Sequence, residues 1–394
     1  MQSLRFFHGL PRSPGTHSLR RRSLLAVYGP FLLSGDLIRW ASACLLSSSL
    51  CLLMSGCSEK TQPSGQQIEA MREPLQWSGK TMGTTYRIRV DVAGEGPPPG
   101  PERKSLIAQR VEACLERINQ QMSTYRADSE LSAFNRAAAE RWYPVSDATA
   151  SVVADALQYH EQTGGAFDVT VGPLMRLWGF GAGTVTEMAD VPDSEEIRAA
   201  LAKVGSAHLR VRMKPNPALR KLKSGIEVDL SSLAKGYAVD RLVDLLKFEG
   251  GTGGLVEIGG EVRTWGKRGD GRPWRIGIEN PLMGRRALAR VLRLETAALA
   301  TSGDYRNFRT LGDRQIAHLI DPRTGKPLTT HQMSVSVCAE TCMEADALAT
   351  ALTLMGVEEG LAWSELHGVA AMFLVVENDN IVEKHSSHFD PYLH

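Results

Sequence analysis

Apolar and polar residues alternate from Thr85 to Val92, with Tyr86, Ile88, Val90 and Val92 on one face. That period of two predicts a half-buried strand. After a Gly/Pro-rich loop from Gly94 to Pro101 the period lengthens: Ile107, Val111, Leu115, Ile118 and Met122 recur at helical spacing. A second helix is expected from Ala148 to Thr163. Leu209, Val211 and Met213 alternate, as do Trp274, Ile276 and Ile278, and between these strands Leu233 to Glu249 reads as a helix. Met333 to Ala339 and Val369 to Val376 read as strands, separated by helices from Met343 to Met355 and from Glu358 to His367. Gly250 to Gly254 is expected to be a loop. The elements mix with no clean βαβ alternation and no repeat, so the expected class is α+β.

The first residues follow a different logic. Leu45 to Met54 is an apolar stretch behind Arg39, too short to span a bilayer as a mature helix. It runs into Leu53-Met54-Ser55-Gly56-Cys57, which resembles the lipobox of bacterial lipoproteins. Upstream, Arg20-Arg21-Arg22-Ser23-Leu24-Leu25 is similar to a twin-arginine signal, although Asp36 and Arg39 interrupt the apolar run after it. Either signal type implies export. The expected organisation is a signal peptide over 1–56, a lipidated tether over 57–73 beginning at Cys57, and one domain over 74–394.

Composition narrows the function. The chain has 394 residues, 43% apolar and 23% charged, with a formal net charge of +1. The first 57 residues carry six arginines and one aspartate, which leaves about −4 for the 337 residues that follow. A net negative chain argues against nucleic-acid binding, which needs a basic face. Of six cysteines, Cys114, Cys338 and Cys342 remain after Cys57. Cys338 and Cys342 are read as packing residues, and no CxxC or His/Cys cluster suggests zinc.

Four segments carry candidate chemistry. Gly79-Lys80-Thr81-Met82-Gly83-Thr84-Thr85 feeds a strand and reads on its own as an ordinary turn. In Thr163-Gly164-Gly165-Ala166-Phe167-Asp168, the glycines end a helix and Asp168 opens an apolar run, where a charge needs a partner. It reads equally as a turn aspartate. Glu227-Val228-Asp229-Leu230-Ser231-Ser232-Leu233-Ala234-Lys235-Gly236 puts Asp229 at a strand end, with Ser231 or Ser232 placed to cap the next helix and seat a diphosphate. Finally, Asp346 and Thr350 lie four apart on an Ala/Leu-rich helix, so their oxygens share one face. Oxygen ligands alone suit Mg²⁺ or Ca²⁺, and the plainer reading is an aspartate favoured by the helix dipole. His318 precedes the Asp321-Pro322 turn, and a lone histidine is more often structural than catalytic.

Seven stretches occur in one order: GKTMGTTY (79–86), MSTYRADSELSAFN (122–135), GGAFDVTVGPLMRLWGFG (164–181), VDLSSLAKGYAVD (228–240), TSGDYRNF (301–308), HLIDPRTGKPL (318–328) and EADALATAL (344–352). Together they resemble the ApbE family, the FAD:protein FMN transferases. The resemblance implies FAD contacts at Met82, Tyr125, Ala166, Phe167, Asp168, Asp229, Lys235 and Ile320. It implies Mg²⁺ ligation by the Ser232 carbonyl, Asp346 and Thr350, and catalytic help from His318 or Asp346. It further implies that a Thr or Ser hydroxyl of a partner protein attacks the FMN-side phosphorus of FAD and that AMP leaves. The rival readings are an FAD pyrophosphatase and a non-catalytic flavin-binding lipoprotein. Implied acceptors are subunits of sodium-translocating NADH:quinone reductases, Rnf-type complexes or regulators of nitrous oxide reduction. The implied address is the periplasmic face of the bacterial inner membrane.

Overall fold

The structure is a computed structural model that describes residues 73–92, 100–181, 191–282, 287–303, 308–311, 314–329, 333–378 and 380–393. The expected signal peptide, Cys57 and the tether up to residue 72 lie outside the described residues, as do residues 304–307 of the fifth family-like stretch. In chain order come β1 (Leu75–Thr81), β2 (Thr84–Val92), α1 (Pro101–Met122), α2 (Glu130–Arg136), β3 (Tyr143–Pro144), α3 (Asp147–Gln162), α4 (Gly172–Leu177) and α5 (Ser194–Leu201). Next are β4 (Leu209–Arg212), β5 (Ala218–Lys221), α6 (Ala234–Phe248), β6 (Gly251–Ile258), β7 (Glu261–Trp265), β8 (Trp274–Glu279), β9 (Leu288–Leu294) and β10 (Ala297–Gly303). The chain finishes with β11 (Phe308–Leu311), β12 (Arg314–Asp321), β13 (Lys326–Thr329), β14 (Met333–Ala339), α7 (Cys342–His367), β15 (Ala370–Glu377) and β16 (Asn380–His385).

Eight strands form the central sheet in the order β1-β2-β6-β7-β10-β14-β15-β16. Every neighbouring pair in it is antiparallel. Together with the helices this is the α+β class expected from the sequence. Alternation sorts the strand residues between two cores. Ala298 and Ala300 of β10 and Ala371 and Phe373 of β15 face the helical core formed with α1, α6 and α7. Their neighbours Ala297, Leu299, Ala370, Met372 and Leu374 face a second core closed by β8, β9 and Phe389. Both faces of the sheet are covered, so β14 is buried over six of its seven residues, Ser334 and Ser336 included.

Some expectations needed correction. Gly250 to Gly254 is largely strand, because β6 begins at Gly251. Its glycines serve close approach, not turning: a Cβ on Gly253 would lie 2.2 Å from the Lys267 carbonyl oxygen, and one on Gly254 2.2 Å from the Trp265 ring. Asp229 is not at a strand end. It follows an isolated bridge between Val171 and Glu227. Met213 lies beyond the end of β4 and is exposed. The two helices expected after Met343 are borne out: non-helical Gly356 (φ 80°) divides α7 between them. Cys114, Cys338 and Cys342 are free thiols, and the latter two are buried as packing residues.

The crossing of α6 and α7 sets the centre of the molecule. A Cβ placed on Gly236 would sit 2.4 Å from the Cys342 carbonyl oxygen and 2.7 Å from the Met343 Cα. Buried Asp240, one turn further along α6, accepts hydrogen bonds from the Cys342 and Met343 N–H groups (2.9 and 3.0 Å) and from Arg263 of β7 (2.7 Å). It thereby satisfies the first donors of α7 from a different helix, while Thr341 caps the same end locally. Gly236→Ala should force the helices apart and cost about 3 kcal/mol. Urea denaturation of the purified variant measures this, and an unchanged midpoint would mean the two helices can separate freely.

Candidate functional site

The site is built on the turn that enters α6. Asn135 clamps the extended segment before it, with its side chain exchanging two 2.8 Å hydrogen bonds with the Val228 backbone. Asp229 N–H then donates to the Val169 carbonyl (2.7 Å), and Asp229 Oδ1 accepts from Ser231 N (2.8 Å) and from the Ser231 hydroxyl. This Asx turn starts the helix. Neither Ser231 nor Ser232 caps it, contrary to expectation, because the N-cap position falls on Leu233, which offers no side-chain acceptor. The Gly236 N–H is given to Asp346 Oδ2 (3.1 Å) on α7, not to the Ser232 carbonyl four residues back. The Ser232 carbonyl is left without its helical donor.

Three charged groups meet at that point. Lys235 Nζ lies 2.7 Å from Glu261 Oε1 and 3.7 Å from Asp346 Oδ2. Glu261 and Asp346 are each 5% exposed, and Glu261 Oε2 is buried with no hydrogen-bond partner. Burial pushes the Asp346 carboxyl up to about 7 despite the pull of the Lys235 ammonium. Burial alone would lower Lys235, but the charges of Asp346 and Glu261 outweigh it and raise its pKa. Two buried acids thus face one ammonium, and with both ionised the cluster carries one surplus negative charge. Thr350 sits one helical turn beyond Asp346 at a partly exposed position. A hard cation suits this donor set: one carboxylate, one hydroxyl, one carbonyl and an uncompensated charge. Among the described residues no three His, Cys, Asp or Glu side chains group as a metal cage. A Mg²⁺ ion held here would take its remaining oxygens from water or a phosphate ligand.

The other end of the turn has an open aromatic face. Tyr125 is 70% exposed, and its hydroxyl donates to the Phe180 carbonyl (3.3 Å). Burial of its hydroxyl end and the nearby charge of Asp229 both raise its pKa. The Phe180 ring meets His318 edge-on at 6.5 Å between centroids, and the Arg309 guanidinium lies 5.8 Å from the same ring. A cavity of 170 Å³ opens beside Asp229, lined also by Thr124, Arg136, Arg176 and Glu227. It lies at the Asp229 end of the segment, not the Asp346 end. Ile320, on the strand that carries His318, is buried in a satellite core with Leu174 and Trp178.

Met82 lies on the turn of the β1–β2 hairpin. Met82 (φ 48°) and Gly83 (φ 73°) form the two-residue turn between β1 and β2. Positive φ at both positions is the type I′ hairpin geometry, which ordinarily takes Asn-Gly. A methionine there costs about 1 kcal/mol. The hairpin adjoins the Gly259-Gly260 turn, where Gly259 N–H donates to the Thr85 carbonyl (3.1 Å) and which leads directly to Glu261.

Ala166, Phe167 and Asp168 are all buried. Asp168 accepts from Thr170 N (2.7 Å), Thr170 Oγ1 (2.6 Å), Ser206 N (3.0 Å) and Ser206 Oγ (2.8 Å). His160 Nδ1 lies 3.2 Å from its Oδ2 and 2.9 Å from the Phe167 carbonyl, so that nitrogen carries the proton. The Asp168 side chain is spent on internal bonds. They fix the stretch whose Val169 carbonyl holds Asp229. Sequence reasoning missed Glu261, Asp240 and the clamping role of Asn135. Glu261 had one usable signal, an acidic residue straight after a Gly-Gly turn between two apolar strands.

Comparisons with known proteins agree on one family. The ApbE family model matches residues 82–373. An FAD:protein FMN transferase of Vibrio cholerae serotype O1 is 39% identical over 349 residues, covering 89% of this chain and 98% of the relative. Among solved structures, the flavin transferase ApbE from Vibrio cholerae superposes with a TM-score of 0.72 at 40% identity, over 82% of this chain and 99% of that one. The apo form of Pseudomonas stutzeri flavinyl transferase ApbE gives a TM-score of 0.72 at 38% identity, over 82% and 97%.

The His160–Asp168 pair makes stability depend on pH. Its hydrogen bond to Asp168 raises His160 above the ordinary 6.5 in spite of partial burial. Burial pushes Asp168 up, but the bonds from His160, Thr170 and Ser206 more than offset it and leave it below 3.8. The histidine's contribution is therefore complete below about pH 6.5 and lost as pH rises through its higher folded value. The aspartate's is complete above about pH 4 and lost as pH falls through its lower folded value. His160→Gln should flatten the decline in Tm that the parent protein shows between about pH 6 and 8. Thermal melts across that range check it, and parallel profiles for parent and variant would contradict the assignment.

Proposed function

The chain belongs to the ApbE family, and from that membership and the geometry of its site we propose that it is a magnesium-dependent FAD:protein FMN transferase. It moves FMN from FAD onto a Thr or Ser hydroxyl of an acceptor protein and releases AMP. The observation that carries this reading is the Asp346 carboxylate at the α6–α7 crossing. It takes the Gly236 N–H, so the Ser232 carbonyl and the Thr350 hydroxyl remain to complete a hard-cation site. Mg²⁺ held by Asp346, Thr350 and the Ser232 carbonyl would neutralise the FAD diphosphate.

The protein's own groups do the rest by positioning. Lys235 adds a positive charge beside the diphosphate seat. The exposed Tyr125 ring offers a stacking surface, and Asp229 next to it accepts hydrogen bonds from hydroxyl or amine groups of the cofactor. Met82, on the hairpin turn, closes the opposite edge. The buried segment from Ala166 to Asp168, and Ile320, support the site from behind. The acceptor hydroxyl oxygen forms a bond to the FMN-side phosphorus as the phosphoanhydride bond to AMP breaks. Its proton goes to His318 or to Asp346.

The acceptor is a flavoprotein subunit of a membrane redox complex: a sodium-translocating NADH:quinone reductase, an Rnf-type complex or a regulator of nitrous oxide reduction. The transferase itself is held at the periplasmic face of the inner membrane by acylated Cys57. This last reading rests on the Leu53-Met54-Ser55-Gly56-Cys57 stretch. Cys57→Ser should abolish palmitate labelling and shift the protein out of the membrane fraction. Undiminished labelling would end the lipoprotein reading.

Asp346→Ala should lower flavin transfer by about 100-fold or more at saturating FAD. The assay follows fluorescent flavin on an acceptor domain against Mg²⁺ concentration, with circular dichroism as the folding control. Thr350→Ala should lose less, because a neutral hydroxyl contributes less than a carboxylate. A folded Asp346→Ala protein with near-parent rates would contradict the transferase site. FMN and AMP appearing with no labelled acceptor would instead identify an FAD pyrophosphatase.

A further inference from the structure

Glu261 is not among the proposed cation ligands, yet it is the closest partner of Lys235. It opens β7 directly after the Gly259-Gly260 turn, is 5% exposed, and spends one carboxylate oxygen on the ammonium at 2.7 Å. Its other oxygen is buried without a hydrogen-bond partner. A buried carboxylate left half-satisfied is costly, and such groups persist where they serve a site. Lys235 Nζ stands farther from Asp346, at 3.7 Å. The ammonium is shared unequally between two acids, and the nearer acid is not the one beside Thr350.

We propose that Glu261 is a positioning residue that holds the Lys235 ammonium away from Asp346, keeping the Asp346 carboxylate open to a divalent cation. The inference rests on the reading of Asp346, Thr350 and the Ser232 carbonyl as a cation site. Its physics is a competition. With Glu261 in place, the ammonium is anchored to β7 and the site keeps one surplus negative charge. Without it, Coulomb attraction draws the ammonium about 1 Å further onto Asp346, tightening the 3.7 Å ion pair to hydrogen-bond distance. That tighter pair consumes the carboxylate, and loss of the second acid has already removed the surplus charge. The rigid turn before Glu261 suits the task, because Gly260 N–H is fixed by Glu257 Oε1 (2.9 Å) and the anchor cannot follow the lysine.

Mn²⁺ binding to the FAD-saturated protein, read by electron paramagnetic resonance, tests this independently of transfer activity. Glu261→Gln should weaken Mn²⁺ binding about tenfold. Glu261→Asp retains the charge and should fall between parent and Gln variant, and it serves if the Gln protein does not fold. Lys235→Met in the Glu261→Gln background should restore Mn²⁺ affinity towards the parent value, because no ammonium is left to fall onto Asp346. A merely structural glutamate would give no such rescue. Parent-like Mn²⁺ binding by Glu261→Gln overturns the positioning role while leaving the cation site standing. Weakened binding that the lysine substitution does not rescue also overturns it. Absence of Mn²⁺ binding by the parent protein overturns the cation site itself, and this inference with it.

Discussion

Everything at the centre of this protein depends on how closely α6 and α7 cross. Gly236 lets the two backbones touch, since any side chain there would strike the Cys342 carbonyl. The contact is held on both sides by acids that reach across it. Asp240 of α6 binds the first amides of α7, and Asp346 of α7 binds an amide in the first turn of α6. Each helix end is thus satisfied by the other helix. The reciprocal arrangement makes the crossing a single cooperative unit.

The same crossing sets the electrostatics. Asp346 is buried because α7 must lie against α6, and burial is the main reason its carboxyl is pushed up. Lys235 precedes Gly236, and its ammonium lies between Asp346 and Glu261 at the start of β7. Six residues earlier, Asp229 turns the chain towards Tyr125 and the Phe180–His318 pair. One short segment, from Asp229 to Gly236, therefore connects an aromatic, solvent-facing region to a buried, acid-rich one. A ligand with a flat ring system and a diphosphate matches that polarity, and the proposed substrate, FAD, has both.

The sequence was informative where one period dominated. The alternation around Tyr86 and Ile88 became β2, the helical spacing from Ile107 to Met122 became α1, and Met333 to Ala339 became β14. It was silent where small residues pack on both faces, as in β10, whose Ala-Ala-Leu-Ala run has no readable period. Glycines misled at β6, because the same residue that permits a turn also permits close approach to Trp265. In the site, Asp346 and Thr350 were legible as neighbours on a helix face, and Asp168 as a charge that needs a partner. That the partner is His160, eight residues upstream, follows only from the chain reversal after α3. Glu261 was invisible for a related reason. Its importance comes from the pairing of β6 with β7, which aims it at a lysine on another element.

The α6–α7 crossing is the proposed seat of a divalent cation that binds the diphosphate of FAD. A crystal of the protein grown with FAD and Mn²⁺, with anomalous diffraction measured at the manganese edge, tests it most directly. An anomalous peak is expected about 2.1 Å from an Asp346 carboxylate oxygen, the Thr350 hydroxyl and the Ser232 carbonyl, with FAD phosphate oxygens completing the shell. FAD bound with no such peak, or with the metal held away from Asp346, would contradict it.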